Sequence, residues 1–389
     1  MTALAEFIAD RVAPRAQAID QEGDFFADLL DDAAELGLQR LMVAADGRPD
    51  ATRMPQALQV TEALSAHSPA VALGVAGTRL SCYLLGKYAP QSLQDRWLEP
   101  TLAARTFGSF AITEPEAGTD VRGLTTVAVP EGEDYLLTGT KCWVGFAPIA
   151  DFAIVLAKEG SADRDAPMVA LVVDMSSPGA HGRAGPELSG FRGMPNGELH
   201  FTGVRVPRTD RLRIEGFTGM MDGLNMARID VAGYASGLLR SALVASLERA
   251  NARSAFGKTL AQLPIIQRKI GRIAADYHAA RALGLRAAES FSHGSGGDQD
   301  LISMAKMFAS DAARRATDEA MQIHGALGIV ADEAVNRMHR DAKVTQIFDG
   351  TSEIHETMLG RRALRAHAAG HLAPFVESAQ FTSSGAEHR

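Results

Sequence analysis

The pattern of apolar and polar positions changes twice along the chain. Near the start, "FFADLLDDAAELGLQRL" sets Phe26, Leu29, Leu30, Ala33 and Leu36 at helical spacing, with Gly37 placed to cap the C-terminus. "ALQVTEALSAHSPAVALGVAGTRLSCYLLGKYA" continues in the same style, and "SLQDRWLEPTLAA" predicts a further short helix broken at Pro100. From residue 108 the period shortens. "TTVAVPEGEDYLLTGTKCWV" predicts two strands joined by a polar turn at Glu131–Asp134, and "DFAIVLAKEG" and "PMVALVVDM" are short β-like runs. "GELHFTGVRVP" points Leu199 and Phe201 to one side and then slips at Gly203, which predicts a bulge.

Beyond residue 217 the helical period returns in long pieces. One runs through "MDGLNMARIDVAGYASGLLRSALVASLERANAR", and a second follows Pro264 and stops before "SHGSGGDQD". A third covers about 300–324, with Asp298 or Asp300 as its N-cap, and a fourth starts after Gly350. Four long helices predict an antiparallel bundle. The expected fold is α+β: an N-terminal α-helical domain over 1–107, a middle β-barrel or sandwich domain over 108–213, and a C-terminal four-helix bundle over 214–372. A polar tail, 373–389, is expected to be disordered.

Composition narrows the function classes. Of 389 residues 46% are hydrophobic and 22% charged, ordinary for a globular chain, and the net charge of −8 argues against a nucleic-acid footprint. No run reaches the roughly 18–20 apolar residues of a membrane span. The acidic, mostly polar N-terminus does not read as a secretory signal, so the expected location is cytoplasmic. Cys82 and Cys142 lack metal-ligand spacing and read as small core residues. No metal site is expected. No Gly-x-Gly-x-x-Gly follows a strand, which argues against a Rossmann dinucleotide site.

Two segments carry candidate chemistry. "FAITEPEAGTDVRG", Phe110–Gly123, is a strand end followed by a turn with hydroxyls at Thr113 and Thr119. It could cradle an anion or polar ring, or be an ordinary loop of the β domain. "TQIFDGTSEIHE", Thr345–Glu356, is a good turn and helix start. It lacks a full capping box, because Ile354 and His355 stand three residues after Thr351 and Ser352.

The first segment closely resembles one signature of the acyl-CoA dehydrogenase family. "QIHGALGIVADEAVNRMHRDAKVTQIFDGTSEI", Gln322–Ile354, resembles a second, and "ARSAFGK", Ala252–Lys258, resembles the family's Arg-x-x-Phe-Gly segment. The resemblance runs over about residues 5–370 in the same order. It implies non-covalent FAD between the β domain and the bundle, held by Ile112, Thr113, Gly118 and Thr119, with Trp143 and Gly145 beside the isoalloxazine. Arg253 and Phe256 match residues that reach the FAD of a neighbouring subunit, and Gln322, Thr351 and Glu353 match positions near the dinucleotide. A site shared in this way implies a homo-oligomer, a tetramer or dimer. The implied reaction is dehydrogenation of an acyl thioester, carried by CoA or an acyl-carrier protein. Asp349 abstracts the α-proton, hydride passes to flavin N5, and an electron-transfer flavoprotein or other acceptor reoxidises the cofactor.

The chain departs from the family pattern where specificity is set. Asp349 stands where most relatives have Glu, and the alternative base position before Arg228 is Ala227. Gly145 replaces a Thr whose hydroxyl lies near flavin N5. Met194 and Asn225 stand where relatives place a Ser and an Asp toward the pantetheine arm, near Arg228 and Phe348 of the substrate side, and Ala255 and Pro264 replace polar residues of the flavin segment. Asp is shorter than Glu by about 1.5 Å. These changes lead us to expect an unusual acyl group: cyclic, branched or unsaturated. The competing expectation is a flavin oxidase of the nitroalkane-oxidase type, which also uses an Asp base. A nucleic-acid-binding relative, which would carry a basic extension, fits this acidic chain poorly.

Overall fold

The computed structural model describes residues 2–214, 216–294 and 296–370, so the expected tail at 373–389 lies outside the described residues. Helices α1 (Thr2–Phe7), α2 (Ala16–Glu22), α3 (Ala27–Glu35), α4 (Met54–Ser65), α5 (Pro69–Tyr88) and α6 (Gln91–Leu102) come first. Phe26, Leu29, Leu30 and Ala33 of the predicted stripe are fully buried. Leu36 is not: α3 ends at Glu35, and Gly37 (φ 71°) turns the chain, leaving Leu36 38% exposed. The long apolar run splits where Ser68 caps α5 by accepting from Val71 N, with Pro69 at its first position. The break expected at Pro100 is absent. Pro100 lies in the last turn of α6, where its missing N–H costs one bond near the helix end.

Strands β1 (Gly108–Ala111), β2 (Val127–Glu131), β3 (Asp134–Gly145), β4 (Phe152–Glu159), β5 (Met168–Asp174), β6 (Ala180–Ala184) and β7 (Asn196–Pro207) form one sheet in the order β1-β4-β2-β3-β7-β6. Strands β1 and β2 pair in parallel with successive parts of β4, and β5 pairs antiparallel with it. The predicted hairpin closes at Glu131↔Asp134. The predicted slip is a bulge: Leu137 faces Val204 and Gly139 faces Phe201, with Gly203 at φ 60° between the two registers. Leu137, Leu199, Phe201, Val204 and Val206 belong to a core of the sheet's own. The sheet is an open half-barrel rather than a closed barrel.

The long helices are α7 (Gly216–Ala252), α8 (Pro264–Ser292) and α9 (Gln299–His324), with a two-strand hairpin of β8 (Ser254–Ala255) and β9 (Lys258–Thr259) after α7. Asp298 caps α9 through Asp300 N and Leu301 N. The fourth leg is two helices, α10 (Ala334–Thr345) and α11 (Ser352–Ala368), with the Asp349 turn between them. The N-terminal helices and the bundle share one large core. They come close at Gly237 on α7, where a Cβ would stand 2.6 Å from the Glu62 carbonyl of α4, so only glycine lets the two backbones meet. Among the described residues no helix is long and apolar enough to cross a membrane.

Candidate active site

The turn between α10 and α11 is fastened to α9 by one helical face. Lys306 Nζ donates to the Gly350 carbonyl at 2.5 Å. One turn on, Ser310 Oγ donates to the Thr345 carbonyl at 2.9 Å, and Asp311 accepts from Gln346 Nε2 at 2.6 Å and Ser352 Oγ at 3.0 Å. From α7, Arg228 Nε donates to the Asp349 carbonyl at 3.0 Å. Thr351 starts α11 as its N-cap. These bonds hold Asp349 at φ 53° and Gly350 at φ 102°. Aspartate is among the few residues that tolerate this region.

The two cations grip main-chain carbonyls, not the Asp349 side chain. Among the described residues neither the Asp349 carboxylate nor its backbone N–H has a hydrogen-bond partner. Burial pushes the carboxyl above its ordinary value, with Lys306 and Arg228 opposing the rise and Asp230 adding to it. Burial also pulls Lys306 down to about 8.

The surroundings are aromatic. Phe348 stacks on Tyr234 with centroids 6.0 Å apart and meets Phe191 edge-on at 5.6 Å. Phe191 and Met194 line a cavity of about 320 Å³ that opens between the 22–25 segment and the 184–196 loop, with Phe25, Pro148, Arg192 and Asn196 also on its walls. A Cβ on Gly145 would lie 3.6 Å from the Met194 methyl. Met194 therefore borders the cavity on one side and Gly145 on the other, while Phe191 links the cavity to Phe348 and the Asp349 turn.

On the sheet side, Trp143 sits at a second β3 bulge, between Lys141 and Val144, with φ 58° and 59% of its surface exposed. So large an uncovered ring, held in a strained conformation, suits a planar partner. The adjoining turn supplies buried Ile112, half-buried Thr113 and exposed Gly118 and Thr119. A fully buried ion pair anchors that turn: Lys141 Nζ donates to Glu114 Oε1 and to the Ile112 carbonyl, both at 2.8 Å. Glu114 also accepts from Thr125 N at 2.6 Å and Thr126 N at 3.0 Å. Burial pushes Glu114 upward, but Lys141 and these donors outweigh it and hold the carboxyl at about 2. An exposed Trp beside a hydroxyl-bearing turn on a rigid anchor fits a flavin.

The structure does not gather every expected site residue. Asn225 is buried and its amide is committed, donating to the Gly296 carbonyl at 2.9 Å and accepting from Arg228 at 3.3 Å. Both residues expected on the substrate side thus make bonds within the protein. Arg253 and Gln322 are exposed at the far end of the bundle, and Phe256, at the hairpin tip, is 92% exposed. The 25 residues from Arg228 to Arg253 along one helix span roughly 38 Å. Exposed Glu353 lies in the first turn of α11. Sequence reasoning missed Lys306, Glu114 and Lys141. Lys306 had a signal: it shares the buried face of α9 with Ile302, Ala309 and Ala313.

Models of the acyl-CoA dehydrogenase N-terminal, middle and C-terminal domains match residues 1–105, 109–204 and 215–364. The chain is 32% identical to the Bacillus subtilis protein named Probable acyl-CoA dehydrogenase YngJ, over 92% of this chain and 96% of that one. It is 31% identical to cyclohexane-1-carbonyl-CoA dehydrogenase of Geobacter metallireducens, over 92% and 95%. Among solved structures, butyryl-CoA dehydrogenase from Megasphaera elsdenii superposes with a TM-score of 0.87 at 29% identity, over 94% of this chain and 97% of that one. The chain belongs to the acyl-CoA dehydrogenase family. It is an FAD-dependent oxidoreductase acting on the CH–CH bond of an acyl-CoA.

Proposed function

We propose that Asp349 is the base that removes the α-proton of the acyl thioester, and that the substrate is a compact cyclic, branched or already unsaturated acyl group. The carrying observation is that Asp349 offers, from one fixed turn, two groups without a partner among the described residues: a carboxylate and a main-chain N–H. The carboxylate takes the proton. The N–H donates to the thioester oxygen as negative charge gathers there, and it is aimed beforehand because the turn is clamped. Burial raises the carboxyl, which makes it a stronger base than a solvated aspartate. FAD, when bound, supplies the acceptor for the hydrogen that leaves the neighbouring carbon. Ile112, Thr113, Gly118, Thr119, Trp143 and Thr351 would hold it.

Wall chemistry supports the choice of acyl group. Phe25 and Phe191 on the cavity wall are rigid rings, with Phe348 and Tyr234 packed against Phe191, and such a wall suits a flat or cyclic partner more than a flexible chain. Asp349 reaches less far than Glu, which calls for a different position of the acidic carbon. The relative from Geobacter metallireducens is named for a cyclic acyl-CoA. CoA and an acyl-carrier protein are both candidate carriers, and an electron-transfer flavoprotein is a candidate acceptor. Arg253, Phe256 and Gln322 lie too far from Asp349 to serve the same cofactor end, so they serve a second copy's FAD in a homodimer or homotetramer.

Anaerobic flavin bleaching against CoA- and carrier-linked acyl panels, with product NMR, tests the proposal. Cyclic or unsaturated thioesters should bleach the flavin fastest. Efficient conversion of plain straight-chain acyl-CoA to the 2-enoyl product would refute the substrate assignment. Rapid oxygen consumption on a nitroalkane would favour the oxidase instead.

A further inference from the structure

We propose that Lys306 is a positioning residue for the base, holding the Gly350 carbonyl so that the Asp349 carboxylate stays unencumbered and supplying the positive charge that keeps it ionised. This rests on Asp349 being the base. Lys306 is fully buried on α9, an unfavourable place for an ammonium. Of its three N–H donors only one is used among the described residues, for the Gly350 carbonyl at 2.5 Å. A neutral donor would hold that carbonyl as well. What the charge adds is its effect on the carboxylate one residue away.

The groups facing this turn come from three helices. Helix α7 brings Arg228, Asp230 and Tyr234. Helix α9 brings Lys306 and Asp311, and α11 brings Glu353, His355 and Arg362. Asp230 is already neutralised by Arg79, which it meets at 2.5 Å. Asp311 is engaged by Gln346 and Ser352. His355 is fully buried, neither ring nitrogen has a hydrogen-bond partner among the described residues, and its Nε2 is only 2.8 Å from where a Gly350 Cβ would stand. Burial pulls it down to about 3, so it stays neutral. Arg228 and Lys306 are left as the two cations pulling directly on Asp349, and among the described residues neither donates to its carboxylate: Arg228 donates to the Asp349 carbonyl and to Asn225 Oδ1, and Lys306 to the Gly350 carbonyl. The arrangement lets the carboxylate be charged without being hydrogen-bonded, as a base that must accept a proton requires.

The test is the pH dependence of anaerobic flavin reduction in the holoenzyme, with Lys306→Met and Lys306→Gln. Asp349 must be ionised to act, so rate is lost as pH falls through its pKa. Removing the cation raises that pKa, and the acid limb should move up by about one to three pH units. Lys306→Gln keeps a donor for the Gly350 carbonyl and should move the limb in the same way. A limb that stays in place in a folded, FAD-loaded variant would overturn the proposal. A measurement that needs no Lys306 variant is carbon NMR of lysine side-chain methylenes. Asp349→Asn should move the Lys306 titration downward from about 8, and an unmoved titration would also overturn the proposal. Failure of the underlying assignment looks different: Asp349→Asn would then bleach flavin like wild type.

Discussion

The Glu114–Lys141 pair makes a sharp claim about how the flavin-side turn is held, and Lys141→Met tests it. Lys141 sits fully buried in β3 and Glu114 is 3% exposed, so neither can turn to solvent when its partner is removed. In the folded protein Glu114 is held at about 2 against 4.5 when unperturbed. That depression stabilises the fold by about 3 kcal/mol at neutral pH. Because the folded value is the lower one, the contribution is complete above pH 4.5 and is lost as pH falls from there through 2. Burial opposes the pair on the other side, pulling Lys141 down to about 8 even with Glu114 beside it. The pair as a whole therefore stabilises little relative to a well-packed apolar pair, whereas breaking it leaves Glu114 buried without a counter-charge. Lys141→Met should cost about 3–5 kcal/mol, and the double variant Glu114→Gln/Lys141→Met should recover most of that. Urea unfolding of the holoenzyme followed by far-UV circular dichroism and flavin release would measure both. Flavin should leave before the helices unfold, since Lys141 also ties down the Ile112 carbonyl at the turn. A single variant within about 1 kcal/mol of wild type, or a double variant no better than the single, would refute the reasoning.

Three other outcomes are expected. Gly237→Ala forces a Cβ to 2.6 Å from the Glu62 carbonyl and should lower stability by roughly 1–3 kcal/mol in thermal unfolding, separating α4 from α7. Trp143→Ala removes an exposed side chain, so the fold should lose less than about 0.5 kcal/mol. FAD affinity, read by fluorescence titration, should fall about 2- to 10-fold. Asp349→Glu extends the carboxylate beyond its built position and should slow flavin reduction by the native substrate on the order of 10²-fold in stopped flow, with FAD retained.

How much of this was legible in the sequence depended on whether the signal was local. The α3 stripe as far as Ala33, the Asp298 cap, the Glu131–Asp134 hairpin and the Gly203 bulge each follow from residues a few positions apart, and each is found. Pro100 misled because a helix breaker counts for little in a last turn. Strand β6 is exposed beyond its first residue and so showed no apolar alternation, and α10 was hidden inside a motif whose resemblance drew attention to chemistry rather than to its helix. The resemblance located the Asp349 turn, but not what holds it. Lys306 lies 44 positions from Gly350, and Lys141 lies 27 from Glu114. A buried lysine looks like a surface lysine until its partner is known. For the same reason the sequence did not show that Arg228 holds the Asp349 carbonyl, or that Asn225 holds the Gly296 carbonyl and accepts from Arg228.

The central claim is that the Asp349 carboxylate does the proton abstraction. The most direct measurement is stopped-flow anaerobic flavin reduction by the best acyl thioester, comparing wild type with Asp349→Asn. The substitution keeps the shape of the turn and the bonds from Arg228 and Lys306 to its carbonyls, and removes only the basic oxygen. Flavin reduction should fall at least about 10²-fold while FAD and thioester still bind. Reduction at the wild-type rate would contradict the account.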